Sequence, residues 1–252
     1  MNAWEEADYV GGFGGITSER YGVSAVDFQF DSADQRPPLY HHGGLELAAV
    51  DRGQARFELP VGPRWRNAAG GVAAAASIYL CDAPLGTAVL SALGPLQASP
   101  TAELSVFHLA EPAGDRLYAE SHLLALDGEL GYSECDITDD RGMVVARATT
   151  RIAVTTVPAG FEMPESRPVP EGFVPHHARP VPEGVEIPYL DLHGIEVVST
   201  RVGDAILRME TQGWHLSASS NLYGGTLGVF AQAASDAAAA TAAPDGAKVR
   251  PL

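Results

Sequence analysis

The clearest order in this chain is an alternation of apolar and polar positions that begins at Leu45. Leu45, Leu47 and Ala49 fall on one face, and Asp51-Arg52-Gly53 supplies a turn. Ala55, Phe57 and Leu59 then resume the alternation, with Arg56 and Glu58 on the opposite face. A period of two broken by a glycine turn predicts a β-hairpin. From Gly70 to Leu93 the pattern becomes a nearly continuous apolar run containing Asp82 and Pro84. It predicts a buried core helix rather than a membrane span. Stretches 103–109, 116–125, 129–138 and 143–154 alternate again and predict four strands, the last two joined through Asp139-Asp140-Arg141-Gly142. A hairpin, one long helix and four antiparallel strands make an α+β architecture in which a sheet wraps a helix.

The flanks are different in kind. Residues 1–39 are rich in Gly, Asp and Ser and read as an arm. Residues 158–188 are punctuated by proline, with Arg-Pro-Val-Pro-Glu-Gly occurring from Arg167 and again from Arg179, and read as an extended linker. After it the first pattern begins again at an offset of 150 (195 − 45), with Ile195-Glu196-Val197 answering Leu45-Glu46-Leu47. Gly194 answers Gly44, Gly203 answers Gly53, and Ala205, Leu207 and Met209 answer Ala55, Phe57 and Leu59. Register kept through a whole hairpin predicts an internal duplication. The expected division is an arm at 1–39, a first unit at 40–157, the linker at 158–188 and a partial second unit at 189–252. Leu252 corresponds to position 102 of the first unit (252 − 150), so the second helix, about 224–243, is expected to lack its covering strands. The expectation is a truncated second copy, with an exposed apolar patch that makes the chain oligomeric or prone to aggregate.

Composition narrows the function classes. The chain has 252 residues, 46% of them hydrophobic, and a net charge of −16 with Lys248 as its single lysine. So acidic a surface argues against nucleic acid as a partner. Cys81 and Cys135 have no metal-ligand spacing, and Met1–Glu6 has no basic leader, which together predict a reduced, cytoplasmic protein without a disulfide scaffold. His41-His42 and His176-His177 are adjacent pairs whose side chains diverge, so no metal site is expected from them. The run Gly11 to Gly15 lacks the strand and helix that a phosphate loop needs.

The stretch from Arg64 to Pro112 resembles the PaaI-like branch of the hot-dog thioesterases. Asn67, Gly70, Asp82 placed 15 residues after the Asn (82 − 67), Glu103-Leu104-Ser105-Val106 and Pro112 carry the resemblance. The family's His-Gly-Gly at the helix start is replaced by Ala73, Ala74 and Ala75 in the first unit, but Tyr223, Gly224 and Gly225 stand there in the second. The acidic place behaves oppositely, Asp82 being answered by Gln232 and Asn67 by Ser217. The resemblance implies a hot-dog fold, in which paired helices set the glycine start of one against the acid of the other. Carried over, Gly224 and Gly225 would face Asp82 across a gap that admits one thioester and one water, while the mirror side would be inactive. It further implies hydrolysis of an acyl- or aryl-CoA thioester without metal or redox cofactor. Asp82 would be base or nucleophile, Thr101 would help place the water, Asn67 would join them and the two glycines as a catalytic residue, and Tyr223, Ser217 and Gln232 would contact substrate.

Other readings of the same residues stay open. Asp82 could pair with Arg64 or Arg66, Pro84 could kink the helix and displace it, and Asn67 could be a simple cap. Gly224-Gly225 could be a packing site, and Cys81 reads as a small core residue. The non-hydrolytic alternatives are an acyl-CoA binding or assembly module and an enoyl-CoA hydratase, although the Asp and His pair of the latter is not visible.

Overall fold

The computed structural model describes residues 42–67, 69–94, 97–156, 174–217 and 221–244. The predicted arm, the run Gly11 to Gly15, His41 and residues 158–173 of the predicted linker lie outside these. The hairpin forms as β1 (Glu46–Asp51) and β2 (Gln54–Pro60), with Gly53 at a φ of 76°. Helix α1 follows as Ala74–Leu90. It starts later than the apolar run does. A bridge between Arg66 and Val72 and a left-handed Gly70 hold the preceding residues in a closed loop.

The remaining strands are β3 (Gln97–Ala98), β4 (Thr101–His108), β5 (Arg116–Leu126), β6 (Leu130–Asp139), β7 (Val144–Ala153) and β8 (Thr155–Thr156). The main sheet runs β1-β2-β5-β6-β7-β4 with every pair antiparallel, and β3 pairs with β8 apart from it. One face of this sheet supplies Phe57, Leu59, Leu117, Ala119, Ile137 and Ala146, all fully buried, and packs them around α1. That is the α+β hot-dog arrangement. α1 continues unbroken through Pro84, and two sheet hydroxyls anchor it there. Ser121 donates to the Pro84 carbonyl at 2.7 Å and Ser133 to the Leu85 carbonyl at 2.9 Å.

From Val174 the chain is not a free linker. A short 3-10 turn, His176–Ala178, lies against the first unit with His177 buried, and α2 (Pro188–His193) follows, tied by an ion pair between Asp191 and Arg64. Then come β9 (Ile195–Arg201), β10 (Asp204–Met209) and α3 (Gly224–Ala242). The offset of 150 governs fine detail as well as pattern. The helices start at 74 and 224, and 3-10 turns occur at Pro63–Trp65 and Gly213–His215. The amide of Gly53 reaches the Ser91 hydroxyl at 2.9 Å, and that of Gly203 reaches the Thr241 hydroxyl at 2.8 Å. Gly203 also has a φ of 76°.

β9 and β10 form a two-stranded sheet, with no strand continuing it among the described residues. α1 is buried on nearly every side because the sheet covers one flank and α3 the other. α3 has only the two-stranded hairpin of β9 and β10 as its second cover among the described residues, and Leu227 on it is half exposed. No described helix is long and apolar enough to cross a membrane.

Candidate active site

Helices α1 and α3 run antiparallel and touch through residues without side chains. A Cβ at Gly224 would stand 2.6 Å from Asp82 Oδ1, one at Gly225 2.6 Å from the Tyr79 carbonyl oxygen, and one at Gly228 2.5 Å from Ile78 Cγ2. Glycine therefore lets the backbone of α3 come up against α1 where a larger residue would hold it off. The first two of these glycines are also the first residues of α3, so their amides have no partner within their own helix.

Asp82 supplies that partner. Its carboxylate accepts a hydrogen bond from the Thr101 hydroxyl at 2.9 Å and lies against the amides of Gly224 and Gly225, which favour its charged form. Its side chain is almost wholly buried. Burial pushes the carboxyl above its ordinary value, while Thr101 and the two amides pull it back. A buried acid is costly unless its oxygens are bonded, and a helix N-terminus is where partial positive charge is available to meet it. The result is a basic group and two aimed N–H donors within one hydrogen-bond length of each other. That arrangement can take a proton from water and can hold charge on an oxygen.

Of the residues singled out from sequence, the structure brings Asp82, Thr101, Gly224 and Gly225 together. It closes the expected gap between acid and amides, because the carboxylate itself sits on the N–H groups. Arg64 and Arg66 do not pair with Asp82; they meet Asp191 and Asp115 instead. Pro84 does not displace it.

Asn67 is not part of this group. Its Oδ1 accepts the amides of Ala69 and Gly71, each at 3.0 Å, which closes the loop before α1 at the other helix start. Tyr223 is buried, and its hydroxyl donates to the Tyr79 carbonyl at 2.7 Å, so it fastens α3 to α1. Ser217 lies in the loop before α3, where its amide donates to the Asn221 carbonyl at 2.7 Å. Gln232 turns along its own helix and donates to Asp236 Oδ1 at 2.6 Å. Cys81 is a core residue whose thiol meets the Ile78 carbonyl at 3.3 Å.

The sequence reading missed Asp236, half buried one turn beyond Gln232, which the Tyr189 hydroxyl approaches at 3.5 Å. Spacing along α3 could have found it, since a residue four beyond Gln232 shares its face. Two surface cavities, of about 530 and 500 Å³, are lined by Arg52, His122 and Leu126 and by Glu186, Leu190 and Gly194 respectively, and neither is lined by Asp82 or the start of α3.

A family model for the acyl-CoA thioesterase C-terminal domain matches residues 19–154. Among solved structures the chain is similar to a thioesterase from Haemophilus influenzae, with 15% identity over 49% of this chain and 86% of that one at a TM-score of 0.46. It is similar also to the PaaI protein of the E. coli phenylacetic acid degradation operon, with 18% identity over 47% and 86% and a TM-score of 0.43. A Bacillus halodurans protein solved with CoA shares 25% identity over 40% of this chain and 66% of its own, with a TM-score of 0.39. No curated protein matches.

The close helix contact makes a specific expectation for Gly225→Ala. The added Cβ meets a backbone oxygen that has little freedom to move. Urea denaturation should show a loss of about 1–3 kcal/mol, the usual cost of overpacking. An unchanged midpoint would mean that the helices are not held this tightly.

Proposed function

We propose, since the chain belongs to the acyl-CoA thioesterase family, that it hydrolyses the thioester of an acyl- or aryl-CoA at one composite site where α3 opens against Asp82. The observation that carries this reading is the contact of the Asp82 carboxylate with the Gly224 and Gly225 amides, held from a third side by Thr101. In the substrate complex the thioester carbonyl takes over the amides, and Asp82 swings back onto water while keeping Thr101. Water then attacks the carbonyl carbon and gives its proton to Asp82. Negative charge collects on the oxygen at the amides, where each donor is worth about 3 kcal/mol. Collapse breaks the carbon–sulfur bond, and the departing thiolate recovers the proton from Asp82.

The exchange of ligands at the amides explains why a site this small is closed at rest. A carboxylate on a helix N-terminus and an oxyanion in the same place are alternative occupants of one positive pole. The mirror side has no equivalent, because Gln232 cannot act as a base and bonds its own helix. We infer one working site per chain.

We also infer that chains associate through β9, β10 and the open flank of α3. Val197, Val198, Val202 and Ile206 are exposed on the hairpin of these strands and Leu227 on the helix, which supports that reading. Sedimentation should give a species larger than one chain; a single monomeric boundary across concentrations counts against association.

Thiol release from acyl-CoAs tests the chemistry. Asp82→Ala should lower kcat by about 10²–10⁴-fold, the range for loss of a positioned base, with substrate binding kept. Thr101→Val should lower it less. Because burial raises the Asp82 carboxyl and the charged form is the active one, kcat should fall as pH drops through a value above the ordinary 3.8. Turnover in Asp82→Ala equal to the parent, or binding without turnover in the parent chain, would overturn the proposal.

A further inference from the structure

The geometry points to a binding site for a divalent cation of the zinc class, made by His42, His193 and His215. His42 precedes β1, His193 ends α2, and His215 closes the 3-10 turn before α3. One ring nitrogen from each lies within 4.8 Å of the others, and all three side chains are buried. None of the three takes part in a step of the proposed hydrolysis.

The pattern of hydrogen bonds identifies the cluster as more than core packing. His193 is 1% exposed and has no partner for either ring nitrogen. His42 Nδ1 and His215 Nε2 are likewise buried without partners. Buried polar atoms are nearly always bonded, so unpartnered nitrogens on three rings this close together need an explanation. Imidazole is a common zinc ligand, and three histidines leaving one position to water is an established donor set for that ion.

Each ring is prepared to a different degree. His42 Nε2 meets the Leu192 carbonyl at 2.6 Å, which places its proton there and leaves the Nδ1 lone pair for a cation. A histidine ligand whose other nitrogen donates to a backbone carbonyl is the usual supporting arrangement. His193 can present either nitrogen. His215 has to change, because its Nδ1 accepts the Gln212 amide at 3.1 Å and its proton therefore sits on Nε2. Binding moves that proton to Nδ1 and opens the Gln212 contact, with no net proton released. Nitrogens around a tetrahedral zinc stand roughly 3.3 Å apart, so the rings also draw in by about an ångström or more.

The segments so joined are the entry to the first unit, α2, and the turn that leads into α3. A cation there would clamp the piece of chain that delivers Gly224 and Gly225 to the piece that carries Asp82. Trp214 stacks on His42 with ring centroids 5.4 Å apart, and it is a built-in reporter of the site.

The full chain, stripped with chelator and dialysed, is titrated with Zn²⁺ and with Co²⁺. The expected result is one ion per chain, a raised melting temperature, a change in Trp214 fluorescence, and a visible Co²⁺ spectrum of tetrahedral nitrogen ligation. His193→Ala and His215→Ala should each weaken binding by more than the ~10–100-fold that loss of a merely supporting group costs. If either variant fails to fold, the Co²⁺ spectrum of the parent chain decides. Absence of a tetrahedral spectrum and of any melting shift overturns the site, as does binding that both variants retain.

Discussion

The molecule depends on one contact, in which a carboxylate on α1 meets the unpartnered amides that open α3. Each side of it would be unfavourable alone. Asp82 is an acid in a helix buried on nearly every side, and Gly224 and Gly225 are helix-start donors at the contact of the two helices. Together they offset one another, and Thr101 donates a hydrogen bond to the carboxylate. The same pairing that allows the two helices to pack also places a base beside two aimed donors. In the proposed hydrolysis stability and chemistry share these atoms, so neither could be altered without touching the other.

The two units, offset by 150, give this contact its asymmetry. Two identical units at that offset would face each other with two equivalent pairs of acid and helix start. In this chain the first unit keeps the acid and has alanines at its helix start, while the second keeps the glycines and has Gln232. Tyr223 adds to the asymmetry by donating to the Tyr79 carbonyl and tying α3 to α1 beside the contact. On the other side Gln232 and Asp236 bond along one helix, a local arrangement that asks nothing of α1.

Much of this was legible in the chain. Alternation located the strands because a half-buried sheet reads out as period two, and the shared register that starts at Leu45 and again at Ile195 exposed the repeat. The start of α1 was misplaced because apolarity does not distinguish a helix from the closed loop that Asn67 and Gly70 build before it. Asp82, Thr101 and the two glycines could be named from the resemblance, but not their direct contact, which depends on how near glycine allows two helices to come. The nearness of three histidines was not legible for another reason: His42, His193 and His215 are dispersed along the sequence, and only the fold brings their rings together.

The most direct measurement is a crystal structure of the full chain with a CoA analogue in which the thioester sulfur is replaced by methylene, leaving a ketone that cannot be hydrolysed. The carbonyl oxygen should lie within hydrogen-bond distance of the Gly225 amide, with the Asp82 carboxylate withdrawn to a water and still bonded to Thr101. A ligand bound elsewhere, with Asp82 still seated on both amides, would contradict the proposal that these atoms carry the reaction.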